Sequence, residues 1–437
     1  MPLLTLPTEI VSIICSHLDP SHLCALRLTC RDLYSLSLEA FSDGAFKSIS
    51  FLVTTDSLQR LQKIAAHEIF RLRVQELWVV PDLFGSLAEP DCGLAKGRIL
   101  TAAIIEAIVT EHLDTLEAGT LRDVLKICLD GFENLNRFGL RYRHVSHLAS
   151  KPDICCLGLR KVEEQLDSNR TYPPPQSSDI HLRLVQSHAL AFSDFVRAAI
   201  ACNRGLTGLS TCRHQCRGLA PRAMTLTPAQ YESLLPLLKQ LKELHLCISA
   251  FGLQIDEVAF KYLLEILAVA SPSLELLTFS PWNRGYRLNP HYLSGISQRL
   301  CFTRLAELHV RELEITPDAL KCFIRSAAPT LKILTMRAIS LIVEAIPTVA
   351  YRDELKRSWG QIIEFFRDEL SLQSLHMAFL FHRGRRVEII DRSGQLAGNP
   401  RPNDGTRTFY SADRAQLSFK SWVGQLTPGL RVFTEVR

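Results

Sequence analysis

The 437-residue chain has no long uninterrupted apolar run and no strong excess of charge of one sign. Its greasiest stretch, Val258 to Ala270, is broken by Lys261 and Glu265. It falls short of the ~18 apolar residues that a membrane-crossing helix needs. Lys and Arg total 50 against 45 Asp and Glu, a formal charge of +5. Over this length that is too weak to mark a nucleic-acid-binding surface. Cysteine is sparse for a disulfide scaffold: 13 residues, about 3%, against the ~8–10% of such chains. The count is odd, the spacings are scattered, and Cys155 adjoins Cys156. Reduced thiols and a cytoplasmic or nuclear location are therefore the expectation. Residues Met1 to Glu9 lack the basic segment of a secretory signal. Enzyme signatures are missing too. There is no Gly-x-Gly-x-x-Gly after a strand, no Gly-x-x-x-x-Gly-Lys, no His-Glu-x-x-His and no Gly-x-Ser-x-Gly. Glu163-Glu164 and Asp368-Glu369 read as solvated helix faces rather than paired catalytic acids.

Apolar residues make up 47% of the chain and charged residues 22%, which excludes a mostly disordered protein. The length exceeds one ordinary core, unless the fold grows by stacking repeats. The N-terminus reads as three short helices. Thr5 can cap the first, with Pro7 in its opening turn and Ile10, Ile13, Ile14 and Leu18 at helical spacing. Asp19-Pro20 stops it, and Ser21 can cap a second helix carrying Leu23, Leu26 and Leu28. Thr29 or Cys30 opens a third with Leu33, Tyr34 and Leu36. Forty residues of helix bury little surface alone, so a partner or the remaining chain must cover the rest.

The run Leu6-Pro7-x-Glu9-Ile10-x-x-x-Ile14-x-x-His17-Leu18-Asp19-Pro20, followed by Leu23-x-x-Leu26-Arg27-Leu28-Thr29-Cys30-Arg31, resembles an F-box. Leu33 stands where many F-boxes carry Trp. The resemblance implies docking onto the Skp-type adaptor of a cullin–RING ubiquitin ligase. By position, the adaptor contacts it implies are Leu6, Pro7, Ile10, Ile14, Leu18, Leu23 and Leu26. A plain helical cap with a buried apolar face is the alternative.

Beyond residue 45 an apolar-x-x-apolar-x-apolar-x heptapeptide recurs. It starts at Val74, Leu135, Leu241, Leu274, Leu305, Leu331 and Leu372, with a weaker version at Leu206. The last five starts are 33, 31, 26 and 41 residues apart. Regular leucine-rich repeats run ~20–29 residues, and these heptapeptides also lack the repeat asparagine. Helical patterns lie between them, at Asp256–Ala270, Pro317–Ala328 and Arg352–Leu370. Strand, turn and helix in alternation predict an α/β fold. Its expected form is a three-helix F-box followed by an irregular leucine-rich-repeat-like solenoid of parallel strands and helices. A generic α/β domain is the alternative. The expected organisation is an F-box over 1–42, the solenoid over 45–380 and a C-terminal strand and loop cap over 381–437. Residues 169–179, with Pro173-Pro174-Pro175, read as an exposed extended loop. The order of F-box and leucine-rich strands resembles the leucine-rich class of F-box proteins, with a layout common in fungal versions.

On each heptapeptide the residues flanking the third apolar position point away from the core. These are Trp78 and Val80, Gly139 and Arg141, and then a longer set. Stacking at ~4.8 Å places His245, Thr278, His309, Thr335 and His376 in one column. Cys247, Ser280, Arg311, Arg337 and Ala378 form the next. His245, His309, Arg311, Arg337 and His376 are the candidate substrate-binding residues, because guanidinium forks suit carboxylate and phosphate. A solvated sheet face is the bland alternative. Cys202, Cys212, His214 and Cys216 cluster in sequence, but their spacing departs from the ~2–4 residues of zinc ligand pairs. Neither metal nor cofactor is expected.

The residues and the resemblance together point to a non-catalytic substrate receptor of a Skp–cullin–F-box ligase. It would hold an unknown protein substrate near a separate conjugating enzyme. Neither nucleic acid nor membrane is an expected partner. A scaffold acting outside the ligase and a metal-dependent α/β enzyme are the other readings.

Overall fold

A computed structural model describes residues 6–81, 102–141, 156–167, 178–211, 219, 226–249, 257–282, 299–342, 351–382, 385–390, 408–412 and 417–429. Among these, the helices are α1 (Thr8–Ser16), α2 (Pro20–Arg27), α3 (Arg31–Leu36), α4 (Leu38–Phe46), α5 (Thr55–Ala66), α6 (Ala102–Glu117), α7 (Thr120–Gly131), α8 (Leu159–Asp167), α9 (Ser178–Ala201), α10 (Pro228–Leu238), α11 (Glu257–Ala270), α12 (Pro317–Arg325), α13 (Tyr351–Glu369) and α14 (Phe419–Val423). The strands are β1 (Ser48–Leu52), β2 (Glu76–Val80), β3 (Arg137–Leu140), β4 (Cys156–Leu157), β5 (Gly208–Ser210), β6 (Glu243–Ser249), β7 (Leu276–Trp282), β8 (Glu307–Arg311), β9 (Glu314–Ile315), β10 (Ile333–Arg337), β11 (Ser340–Leu341), β12 (Ser374–Ala378), β13 (Leu380–His382), β14 (Arg385–Ile390), β15 (Thr408–Ser411) and β16 (Thr427–Gly429). Every leucine-rich heptapeptide contains a strand. The chain divides into two compact units. The first is Met1–Gly208 with Cys212–His214 and Pro228–Leu237; the second is Leu209–Thr211, Gln215–Thr227 and Leu238–Arg437.

In the first unit four helices, not three, precede β1. Ser37 separates α3 from α4, and α4 runs past residue 42 to Phe46. The F-box helices therefore belong to the same compact unit as the strands that follow. Strands β4, β1, β2 and β3 lie side by side and parallel. The second to fifth residues of β1 and of β2 are all buried, as in a sheet covered on both faces. Helices α5, α7 and α9 turn Leu58, Leu61, Leu121, Leu125, Phe192 and Phe195 inward. Phe195 stacks on Phe138 of β3 at 3.6 Å. Ser178 and Asp179 begin α9 rather than ending a loop; residues 169–177 of that expected loop lie outside the described residues.

In the second unit β6, β7, β8, β10 and β12 form a parallel sheet in that order, edged by antiparallel β15. Here burial alternates along β8 and β10, so one face packs and the other is half open. Three successive strands end in the same device. Glu312, Ala338 and Phe379 each adopt a left-handed conformation, with φ of 54°, 55° and 53°. Each corner turns the chain into a short second strand, β9, β11 or β13. Those strands pair in parallel, and β14 and β16 add antiparallel. The Glu312 N–H donates to the Arg337 carbonyl at 2.8 Å, and the Ala338 N–H to the Ala378 carbonyl at 2.9 Å. After the first corner, Thr316 caps α12 by accepting from the Ala319 N–H, with Pro317 at the first helical position.

Candidate interaction surfaces

The N-terminal helices build a small core from Val11, Cys15, Leu23 and Leu33. Leu6, Leu18, Leu26, Leu36, Ala40 and Phe41 pack partly buried around it. Pro7 occupies the position before α1, and Thr5 lies outside the described residues. Asp19, not Ser21, caps α2: its carboxylate accepts from the His22 N–H at 2.9 Å. Hydrogen bonds from the Ser21 hydroxyl and the His22 backbone hold the Asp19 carboxyl below its usual range. Arg27 is buried, donates to the Tyr34 carbonyl at 2.9 Å, and lies 3.9 Å over the Tyr34 ring and 4.4 Å over that of Phe41.

On α1 the inward residues are Val11 and Cys15, four apart. Ile10, Ile13 and Ile14 share the other side, 43%, 55% and 36% exposed. Leu28 after α2 is 88% exposed, and Tyr34 is also exposed. This helical unit thus carries apolar residues both inside and outside. Of the predicted adaptor contacts, Pro7, Ile10 and Ile14 are exposed, while Leu6, Leu18 and Leu26 are half-buried. Leu23 is 2% exposed and serves the interior. Ile13, Leu28 and Tyr34 complete the exposed set and were not singled out as contacts from the sequence. Period 3.6 marks which residues share a face, not which of two apolar faces is covered.

An aromatic chain fastens these helices to the α/β layer of the same unit. Phe41 meets Phe46 edge-on at 5.7 Å, Phe46 stacks on Phe70 at 4.3 Å, and Phe70 stacks on His67 at 3.8 Å. Arg73 adds ion pairs to Glu39 at 3.2 Å and Asp43 at 3.1 Å.

The outward positions of the first-unit strands do not form an open face. Trp78 and Val80 are buried. The Trp78 indole donates to Ser48 Oγ and Glu76 Oε2, each at 3.1 Å. Arg141 lies 4.7 Å over the same ring and donates to Ser50 Oγ at 2.7 Å. Burial pushes the Glu76 carboxyl up, but hydrogen bonds from Trp78 and Ser48 and the charge of Arg137 outweigh it, and the net shift is down.

In the second unit the strand register sets the predicted columns side by side. His245 pairs with Thr278, Thr278 with His309, His309 with Thr335, and Thr335 with His376. Arg311 aligns with Arg337, and Arg337 with Ala378. His245 Nδ1 is 2.8 Å from Thr278 Oγ1, and His309 Nε2 is 3.6 Å from Glu307 Oε2. Burial holds the His309 ring below its usual pKa against the pull of Glu307, and the charges of Arg311 and His376 add to the lowering. The Phe379 ring meets two guanidiniums, Arg337 at 5.3 Å and Arg386 at 5.0 Å from its centroid. Glu312, near Arg337 and Arg311, has its carboxyl pushed up to about 7 by burial, against the pull of those two charges.

Of the cysteine–histidine cluster only Cys202 is described. Its thiol is pushed up to about 11, mainly by burial. Among the described residues no three His, Cys, Asp or Glu side chains converge as a metal site, and no helix is long and apolar enough to cross a membrane.

Compared with known protein families, residues 3–41 match the F-box-like family. The chain thus carries an F-box-like domain spanning its first four helices up to Phe41. Domains of this class generally bind Skp-type adaptors. No curated protein matches the chain.

Proposed function

We propose that the chain is a substrate-recognition subunit of a Skp–cullin–F-box ubiquitin ligase. The observation that carries this reading is the exposed apolar ridge of Ile10, Ile13 and Ile14, with Leu28 nearby in sequence, inside the F-box-like residues. Apolar surface of this kind is costly to leave in water and marks a docking face. The adaptor covers it, and the parallel leucine-rich strands of the second unit, in an irregular solenoid, present the protein substrate. The chain supplies no catalytic group; it raises the local concentration of substrate beside a conjugating enzyme. The test is co-purification of adaptor and cullin with the wild-type chain and with an Ile10→Ser/Ile14→Ser variant. Wild type should retain both and the variant neither, with unchanged thermal unfolding, because these side chains lie outside the core. Retention of adaptor without cullin would instead support a scaffold acting outside the ligase. Full retention by the variant refutes the docking face.

A further inference from the structure

We infer that the Arg311–Arg337 pair on the open face of the second-unit sheet is a carboxylate-binding subsite, and that its occupant is an extended Asp- or Glu-containing segment of a partner protein. This rests on the receptor reading above and names the chemistry of its substrate.

Four observations carry it. First, β8 and β10 are in register at these two residues, so two guanidiniums start one strand spacing apart, ~4.8 Å. Second, neither arginine forms an ion pair among the described residues. Half-buried Arg137, by contrast, meets Glu76. The Nε of Arg311 is buried and has no hydrogen-bond partner. Third, the Arg337 guanidinium lies 5.3 Å over the Phe379 ring, a cation–π contact that takes up no acceptor and leaves its N–H donors for one. Fourth, the neighbouring acid forms no ion pair with them among the described residues. Glu312 Oε2 is itself buried without a hydrogen-bond partner, although both guanidiniums act on its charge. Of the other acids on this face, Glu307 is near His309 instead.

A buried Arg311 donor without an acceptor, beside an Arg337 with no ion pair among the described residues, calls for an oxyanion. The column beside them, His309 and Thr335, offers side-chain hydrogen-bonding groups to a peptide laid across the strands. A monovalent carboxylate suits the site better than a phosphate dianion, because the Glu312 carboxyl already stands beside both guanidiniums.

The test is fluorescence anisotropy of the full-length chain with a labelled Gly-Ser peptide carrying several Glu residues. A Gln-substituted copy and a phosphoserine copy serve as comparison probes. Saturable binding of the Glu peptide and none of the Gln peptide is expected. Arg311→Gln/Arg337→Gln should weaken binding at least about tenfold. Glu312→Gln, which removes a competing carboxyl, should strengthen it. Arg325→Gln, whose partner is Glu369, should leave it unchanged. Equal weakening by Arg325→Gln reduces the effect to general charge and overturns the proposal. So does wild-type affinity in the double variant, or binding of the phosphoserine peptide alone. Adaptor co-purification of the same variants is read separately. Its loss would count against the F-box reading and not against the subsite.

Discussion

Two buried ionisable residues of the first unit respond to pH in opposite senses. His112 is enclosed, its Nδ1 3.5 Å from the Pro81 carbonyl, and burial lowers its pKa from 6.5 to about 4. Its neutral ring therefore supports the fold above pH 6.5, and that support is lost as pH falls toward 4. Asp194 is raised from 3.8 to about 6 by burial, which outweighs the attraction of Arg122 and Arg197. Its protonated form suits the fold, so its contribution is complete below pH 3.8 and is lost as pH rises through 6. The two trends partly cancel between pH 4 and 6. Asp194→Asn should raise stability at pH 8, by no more than about 3 kcal/mol, and change little at pH 4. Urea unfolding at the two pH values checks this, and equal effects at both would refute the assignment. Neither residue stood out in the sequence. A titratable group acquires a shifted pKa from the density around it, which one-dimensional chemistry does not show: His17 and His22 are exposed, while His112 is enclosed.

The three left-handed corners decide how the second-unit strands end. A side chain at positive φ crowds its own backbone, by roughly 1 kcal/mol or more for a residue other than glycine. The Glu312 and Ala338 N–H groups are held by the next strand, and all three corners lead into the second parallel ladder, which keeps them in that conformation. Ala338→Val should destabilise the chain by on the order of 2 kcal/mol, and Ala338→Gly should leave stability equal or higher, by thermal unfolding. Similar losses for both would show that the methyl group matters rather than the backbone. The strands themselves were legible from leucine spacing, since alternation and burial share one period. The corners were not, because Glu, Ala and Phe carry no turn signature; only the folded ladders force them into place. Likewise α4 escaped notice because Leu38 to Phe46 continues the polar–apolar texture of α3 without a Pro or Gly to divide them.

At the level of the whole chain, two mutations separate folding from docking. Leu23→Ala removes a buried side chain from a four-residue core and should cost about 2–5 kcal/mol, visible as a lowered Tm. Ile13→Ser, on a side chain 55% exposed, should leave Tm near wild type and weaken adaptor recovery. If Ile13→Ser unfolds the protein, the ridge is structural. The F-box-like segment was readable because its motif is dense over residues 6–31, and the family match covers 3–41. The face it presents was not readable, since Leu23 and Ile10 are equally apolar in one dimension. The division into two compact units was also absent from the pattern. Heptapeptides of the same internal pattern occur on both sides of residue 208.

The sequence by itself determined the helical N-terminus, the strands of the leucine-rich heptapeptides and the columns His245–His376 and Arg311–Arg337. Those features follow from local periodicity, which needs only neighbours a few residues apart. Tertiary structure decided which of those residues are free to act. It enclosed Trp78 and Val80, turned Leu23 inward, left Ile13 outside, and placed Glu312 against two arginines. Burial is set by contacts between segments distant in the chain, and a side chain's charge, exposure and partners all depend on it.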